Sequence, residues 1–163
     1  MSIYLRKAGI ADAEELQSAF ERSADFIAPW AFPPEDIKKY IEGSNLYLVC
    51  LLENNDIVGS YRISEIVRGF FHSAYLGYQA FVPFQGKGYM GQGLKLLLKV
   101  AFGDLNLHRL EANIQPGNEA SIKLVEKAGF KKEGVSPNYL RVGGTEWKDH
   151  ERWAIINHNW IEQ

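Results

Sequence analysis

Between residues 75 and 94 one hydrophobic period gives way to another, and that switch constrains the chain more than any other feature. Tyr75-Leu-Gly-Tyr-Gln-Ala-Phe-Val82 reads as a buried strand, and Pro83 then withdraws a backbone donor. Glycines follow at positions 86, 88, 91 and 93, and Leu94, Leu97, Leu98, Ala101 and Phe102 mark a continuous helical stripe. A glycine-rich turn between strand and helix lets backbone N–H groups face outward without a Cβ in the way. Added to the unpaired first turn of the helix, they form a site for a phosphate or pyrophosphate. A chain built this way is expected to hold a phosphorylated small molecule here.

The flanking segments predict one mixed α/β (α+β) domain spanning all 163 residues. Ile3–Arg6 reads as a first strand. Ala11 opens a helix with apolar residues at Leu16, Ala19, Phe20 and Ala24, which Phe26-Ile-Ala-Pro-Trp30 ends. Pro33-Pro-Glu-Asp36 starts a second, short helix through Ile37, Tyr40 and Ile41, stopped by Gly43. Leu46–Leu52 and Ile57–Glu65 form a hairpin across Glu53–Asp56, and Ser73–Val82 completes an antiparallel meander. Beyond the glycine turn come a strand Arg109–Ile114 and a helix Asn118–Ala128 closed by Gly129. A strand Phe130–Val135, a loop Pro137–Gly144 and a last strand Trp147–Ile156 follow.

Composition narrows the function. A formal charge of −2 supplies no broad basic field, which disfavours nucleic acid as a ligand chosen by charge. A single cysteine, Cys50, lies in an apolar run and reads as inert core. No segment has transmembrane length and the first residues lack a leader's apolar stretch, so the cytoplasm is the expected location, with no membrane partner. His72, His108, His150 and His158 lack metal-ligand spacing, and no metal is expected.

Gly86-Lys-Gly-Tyr-Met-Gly91 satisfies G-x-G-x-x-G, and Glu111 follows about 20 residues on, where a dinucleotide fold places an acid. Three features weigh against that fold. Too little chain remains after residue 128 for further βαβ units, the preceding strands read as a meander, and Glu111 falls in mid-strand. Gln92-Gly93 after Gly91 also excludes a P-loop.

Gln85-Gly-Lys-Gly-Tyr-Met90 resembles the Q/R-x-x-G-x-G/A signature of the GNAT acetyltransferases, with Met90 standing where glycine or alanine is usual. The resemblance continues through Ile27-Ala-Pro-Trp30, Leu107–Ala112, Asn118-Glu-Ala-Ser121, Lys127-Ala-Gly-Phe130, Asn138–Gly143 and Trp147–His150. Together these segments resemble the RimJ/RimL-type branch of ribosomal-protein alanine N-acetyltransferases. The resemblance implies a GNAT-like single domain whose mixed, mostly antiparallel sheet of about seven strands is flanked by helices. It implies a V-shaped splay between the fourth and fifth strands, and acetyl-CoA as the acetyl donor. Gln85, Gly86, Lys87, Gly88, Tyr89, Met90 and Gly91 would bind the pyrophosphate. The backbone of Ala80, Phe81 and Val82 would pair with the pantetheine arm, which Asn118 would also contact.

Acetyl transfer from a thioester needs a neutral amine, a polarised carbonyl and a stabilised thiolate. An α-amino group, with a reference pKa of ~7.7–8.0, is partly neutral near pH 7, whereas a lysine amine at ~10.4 is not. The tyrosine acid of many GNAT members would fall at Val125 and is absent. Resemblance to the RimL-like pattern instead implies a serine three residues after the asparagine, Ser121, as the thiol-end acid; the competing reading is a small polar residue in the first turn of a helix capped by Asn118. Glu111 is a candidate base that shares a strand face with Asn113, and a structural partner of Arg109 or a lysine is the competing reading. Tyr78 is a candidate for positioning a water. Trp30, Phe32 and Tyr139, with Phe26, are candidates for an aromatic wall around the acceptor. The expected reaction is direct transfer to a primary amine, by resemblance a protein N terminus, with a ribosomal protein as candidate partner. A small-amine acceptor and a non-catalytic coenzyme A-binding module are the alternatives, and the chain is expected to be a monomer or homodimer.

Overall fold

The computed structural model describes every residue except Ser44, Gly143 and Gly144. Its strands are β1 (Ile3–Lys7), β2 (Asn45–Leu51), β3 (Ile57–Val67), β4 (Ser73–Ala80), β5 (Arg109–Ile114), β6 (Lys131–Val142) and β7 (Glu146–Ile156). They form one seven-stranded mixed sheet in the order β1-β2-β3-β4-β5-β7-β6. The helices are α1 (Ala13–Arg22), α2 (Ala24–Ile27), α3 (Ile37–Glu42), α4 (Tyr89–Lys99) and α5 (Glu119–Lys127). The described residues divide into two compact units, Met1–Arg62 with Gly77–Leu97, and Ile63–Leu76 with Leu98–Gln163.

In the first unit the α1 stripe buries Leu16, Ala19 and Phe20 together with Ile27, Ile41 and Phe81. Each such side chain contributes about 1.5–3 kcal/mol on leaving water. The expected first helix is broken. A 3-10 turn, Ile10–Asp12, precedes α1, and Ser23 separates α1 from α2. Asp12 sets the entry, because its carboxylate accepts from Gly9 N–H (2.8 Å) and from Arg6 (2.7 and 2.9 Å). The second helix starts at Ile37 rather than within Pro33–Asp36. The Asp36 carboxylate caps the N–H groups of Lys38 and Lys39, both at 3.1 Å, leaving the prolines outside.

Helix α4 also begins earlier than its apolar stripe suggests. It starts at Tyr89 and takes Gly91 and Gly93 into its body, so only Gly86 and Gly88 belong to the turn. Gly93 is needed for packing: a Cβ there would lie 2.8 Å from Val49 Cγ2. Strand β4 stops at Ala80, two residues short of expectation. Phe81 N–H still donates to Val58 O (3.0 Å), but Val82 N–H turns to Ser23 Oγ (3.1 Å).

The second unit carries the parallel pairing of β4 with β5, from Ser73↔Arg109 to Leu76↔Ala112. Helix α5 lays Val125, fully buried, onto this unit's core with Leu110, Ala112 and Phe130. Gly129, at φ +101°, reverses the chain while Phe130 N–H returns to Val125 O at 3.0 Å. The expected loop Pro137–Gly144 is strand as far as Val142, and Gly143 and Gly144 lie outside the described residues. Strand β6 runs on because β7 supplies partners for it, Leu140↔Lys148 to Val142↔Glu146, after an irregularity between Ser136 and Leu140. That irregularity holds Pro137, which cannot donate to the ladder.

Candidate active site

In the first unit, Gly86 and Gly88 adopt φ +75° and +79°, the left-handed conformation that glycine adopts without strain. Gln85 to Gly88 are exposed, and α4 begins directly after them. Among the described residues, no turn bond uses the N–H groups of Gly86, Lys87 or Gly88. The first N–H groups of α4 add to this row of donors. Gly91 supplies a further indication. It is helical, and a Cβ there would meet nothing in the protein within 4 Å. Neither its backbone conformation nor its packing requires glycine, whereas a group approaching the helix start from outside would. The residues present therefore fit a pyrophosphate.

Met90 has an internal reason. Its thioether lies where a Cβ on Gly59 would be, and its carbonyl accepts from the Tyr61 hydroxyl at 2.7 Å. The side chain fills a gap in the packing of α4 on β3. Burial pushes the Tyr61 phenol well above its ordinary range, so it stays protonated and donates. Tyr78 lies beside it, ring centroids 5.6 Å apart.

The strand segment proposed for the thioester arm is already hydrogen-bonded. Phe81 N–H faces β3, Val82 N–H is taken by Ser23, and Val82 O accepts from Arg22 Nε at 2.6 Å. Ala80 O accepts from the Gln79 amide at 2.7 Å. Trp30 and Phe32, between α2 and α3, are 38% and 64% exposed, so they are surface groups and not core.

In the second unit, Arg109, Glu111 and Asn113 share the half-buried face of β5, as two-residue alternation requires. Both Glu111 oxygens are engaged: Oε1 accepts from Arg109 Nε and Oε2 from Arg152 Nη2, each at 2.9 Å. Arg152 also donates to Asn113 Oδ1 (2.8 Å) and Ser136 Oγ (3.3 Å), and its guanidinium lies 4.3 Å from the Tyr139 ring centroid. Burial first, then a hydrogen bond with Tyr75, raises the Tyr139 phenol to about 12. Arg109 continues the network to Glu133, whose carboxyl it holds below the usual range. Arg152 thus joins Glu111 and Tyr139, two residues singled out separately in the sequence. Sequence reading missed Arg152 itself. The signal lay in its alternation on the last strand, but only the β5–β7 register, Asn113↔Arg152, gives that alternation a partner.

Asn118 stands at the N-cap of α5 without a side-chain capping bond, and Ser121 is half-buried in the first turn. His150 is buried and its Nδ1 lies 2.9 Å from Lys148 O. Among the described residues no cluster of His, Cys, Asp or Glu could hold a metal ion, and no helix is long and apolar enough to cross a membrane.

Comparison with known proteins gives this geometry a context. The acetyltransferase (GNAT) domain model matches residues 2–131. The [ribosomal protein uS5]-alanine N-acetyltransferase of Escherichia coli is 30% identical over 165 residues, covering 91% of this chain and 84% of its own. A probable N-acetyltransferase of Bacillus subtilis, YjcK, is 29% identical over 172 residues, 96% of this chain and 94% of its own. The crystal structure of ribosomal-protein-S5-alanine acetyltransferase from Vibrio fischeri matches with a TM-score of 0.89 at 27% identity, covering 99% of this chain and 97% of that one.

Proposed function

Since the chain belongs to the GNAT family, as an acetyl-CoA-dependent N-acetyltransferase with relatives in the RimJ/RimL branch, we propose that its acceptor is the α-amino group of a protein N terminus, alanine-led and ribosomal in type. The observation that carries the donor half of this reading is the row of N–H groups at Gly86–Gly88, followed by a helical glycine whose Cβ position is open. The acceptor half rests on the relatives' substrates, and it suits the residues. An α-amino group already partly neutral near pH 7 asks little of a base.

In this reading the amides of Gln85 to Gly91 and the exposed Lys87 take the pyrophosphate. Phe81 turns its N–H towards β3, so the backbone groups of Ala80 and Val82 point the other way and pair with the pantetheine arm. Val82 N–H then exchanges Ser23 Oγ for a ligand carbonyl. The amine nitrogen attacks the thioester carbonyl carbon; the C–N bond forms as the C–S bond breaks. Ser121 Oγ–H gives its proton to the departing sulfur and recovers one from solvent, and Asn118 orients the arm. The amine's proton leaves to water, which Tyr78 positions. Glu111, with both oxygens engaged by arginines, serves as a positioning residue. Through Arg152 it sets the Tyr139 ring, the second unit's contact to the acceptor; Trp30 and Phe32 are the candidate acceptor contacts of the first unit.

Release of free thiol from acetyl-CoA tests the reading. Alanine-led peptides copying ribosomal N termini are expected to exceed polyamines and free amino acids in kcat/KM by at least tenfold. Equal or greater turnover of a polyamine would overturn the proposed acceptor.

A further inference from the structure

Arg62, on β3 in the first unit, is a cation with no anionic partner among the described residues. Its Nε is buried with no hydrogen-bond partner, and among the described residues no carboxylate or carbonyl accepts from its guanidinium. What holds it is an aromatic face: its Cζ lies 5.3 Å from the Tyr40 ring centroid. A cation–π contact offsets part of the desolvation of a guanidinium but leaves the buried Nε–H without an acceptor. Buried donors without acceptors are rare in folded proteins and point to a missing partner. For a guanidinium the matching partner is a carboxylate, which accepts two parallel N–H bonds.

The position says whose carboxylate. Tyr40 packs edge-on against Phe20 (6.2 Å), and Phe20 against Phe81 (5.0 Å). Phe81 lies between Ala80 and Val82, the edge proposed above for the thioester arm. Arg62 is therefore joined through two rings to the strand segment where the donor would be laid out, on the α1 and α3 side of the sheet.

We infer that Arg62 is a specificity-determining residue that binds a carboxylate carried by the acceptor, close in the molecule to the amine that receives the acetyl group. The inference rests on the acetyl-transfer reading above. Two sources share this chemistry: an acidic side chain early in a peptide, and the α-carboxylate of a free amino acid.

Thiol-release kinetics with matched acceptors separate these sources. Alanine-led tetrapeptides with glutamate at the second, third or fourth position are compared with their glutamine counterparts, and free alanine with alaninamide. In the wild-type protein the carboxylate member of at least one pair is expected to have a kcat/KM at least tenfold higher. In Arg62→Gln that ratio falls towards one, and in Arg62→Lys it is intermediate, since an ammonium offers charge without the fork. Acetyl-CoA affinity by calorimetry reports that both variants are folded. A second readout needs no variant: the Arg62 Nε–H resonance should shift on adding the preferred acidic peptide and stay in place with its amide. Equal turnover within every pair, with an unmoved resonance, overturns the role of Arg62 and leaves the acetyl-transfer reading standing. Turnover of no acceptor overturns that reading, and this inference with it.

Discussion

At the scale of single residues, the glycines have different reasons to be glycine, and their substitutions should behave differently. Gly88→Val places a branched side chain at φ +79°, on the exposed turn. It should weaken acetyl-CoA binding at least tenfold by calorimetry, and unchanged affinity would remove the turn from the donor site. Gly59→Ala acts inside the fold. Its methyl would collide with the Met90 thioether, and overpacking of that kind costs about 1–3 kcal/mol. Adding Met90→Ala should recover part of the loss in urea unfolding, a coupling that independent sites would not show. Ser121→Ala should lower kcat at least tenfold with acetyl-CoA affinity kept within a few-fold; full activity would leave Ser121 as a helix-start residue only.

At the scale of elements, one guanidinium connects three strands. Arg152 on β7 reaches Glu111 and Asn113 on β5, and Ser136 and Tyr139 on β6. Truncation by Arg152→Met leaves one Glu111 oxygen without its partner in a half-buried site. The expected cost is about 1–3 kcal/mol in urea unfolding, at the lower end because Arg152 keeps 27% of its side-chain surface in water. If Glu111 positions and does not act as base, Glu111→Gln should change kcat/KM without displacing the pH profile. A lost acidic limb in the profile would return Glu111 to the role of base.

At the scale of the whole molecule, the raised phenols set an alkaline limit. Tyr61 and Tyr139 are held protonated in the folded chain, Tyr139 to about 12, whereas an unfolded tyrosine ionises near ~10. Below that value both states carry the same protons and these groups add no pH dependence. Above it the unfolded chain releases protons first, so stability falls as pH rises from ~10 towards the folded values. Urea midpoints measured at pH 8, 10 and 11 should show this decline, and Tyr139→Phe should blunt it.

Much of this protein is set by local chemistry and can be read directly from its residues. The strand before Pro83, the glycine turn, the α4 stripe and the cap at Gly129 each follow from period, backbone permission and capping, and the signature in the turn carries the family. Tertiary structure decided what depends on a neighbour distant in sequence. Strand β6 runs to Val142 because β7 pairs with it, and β4 stops at Ala80 because Ser23 takes the next N–H. Met90 is accommodated because Gly59 leaves room for its sulfur. The same holds for Glu111, which in sequence is only a carboxylate on a strand. Two arginines, one of them 41 residues away, occupy both of its oxygens, and a side chain's chemistry is set by such contacts, which no local period encodes.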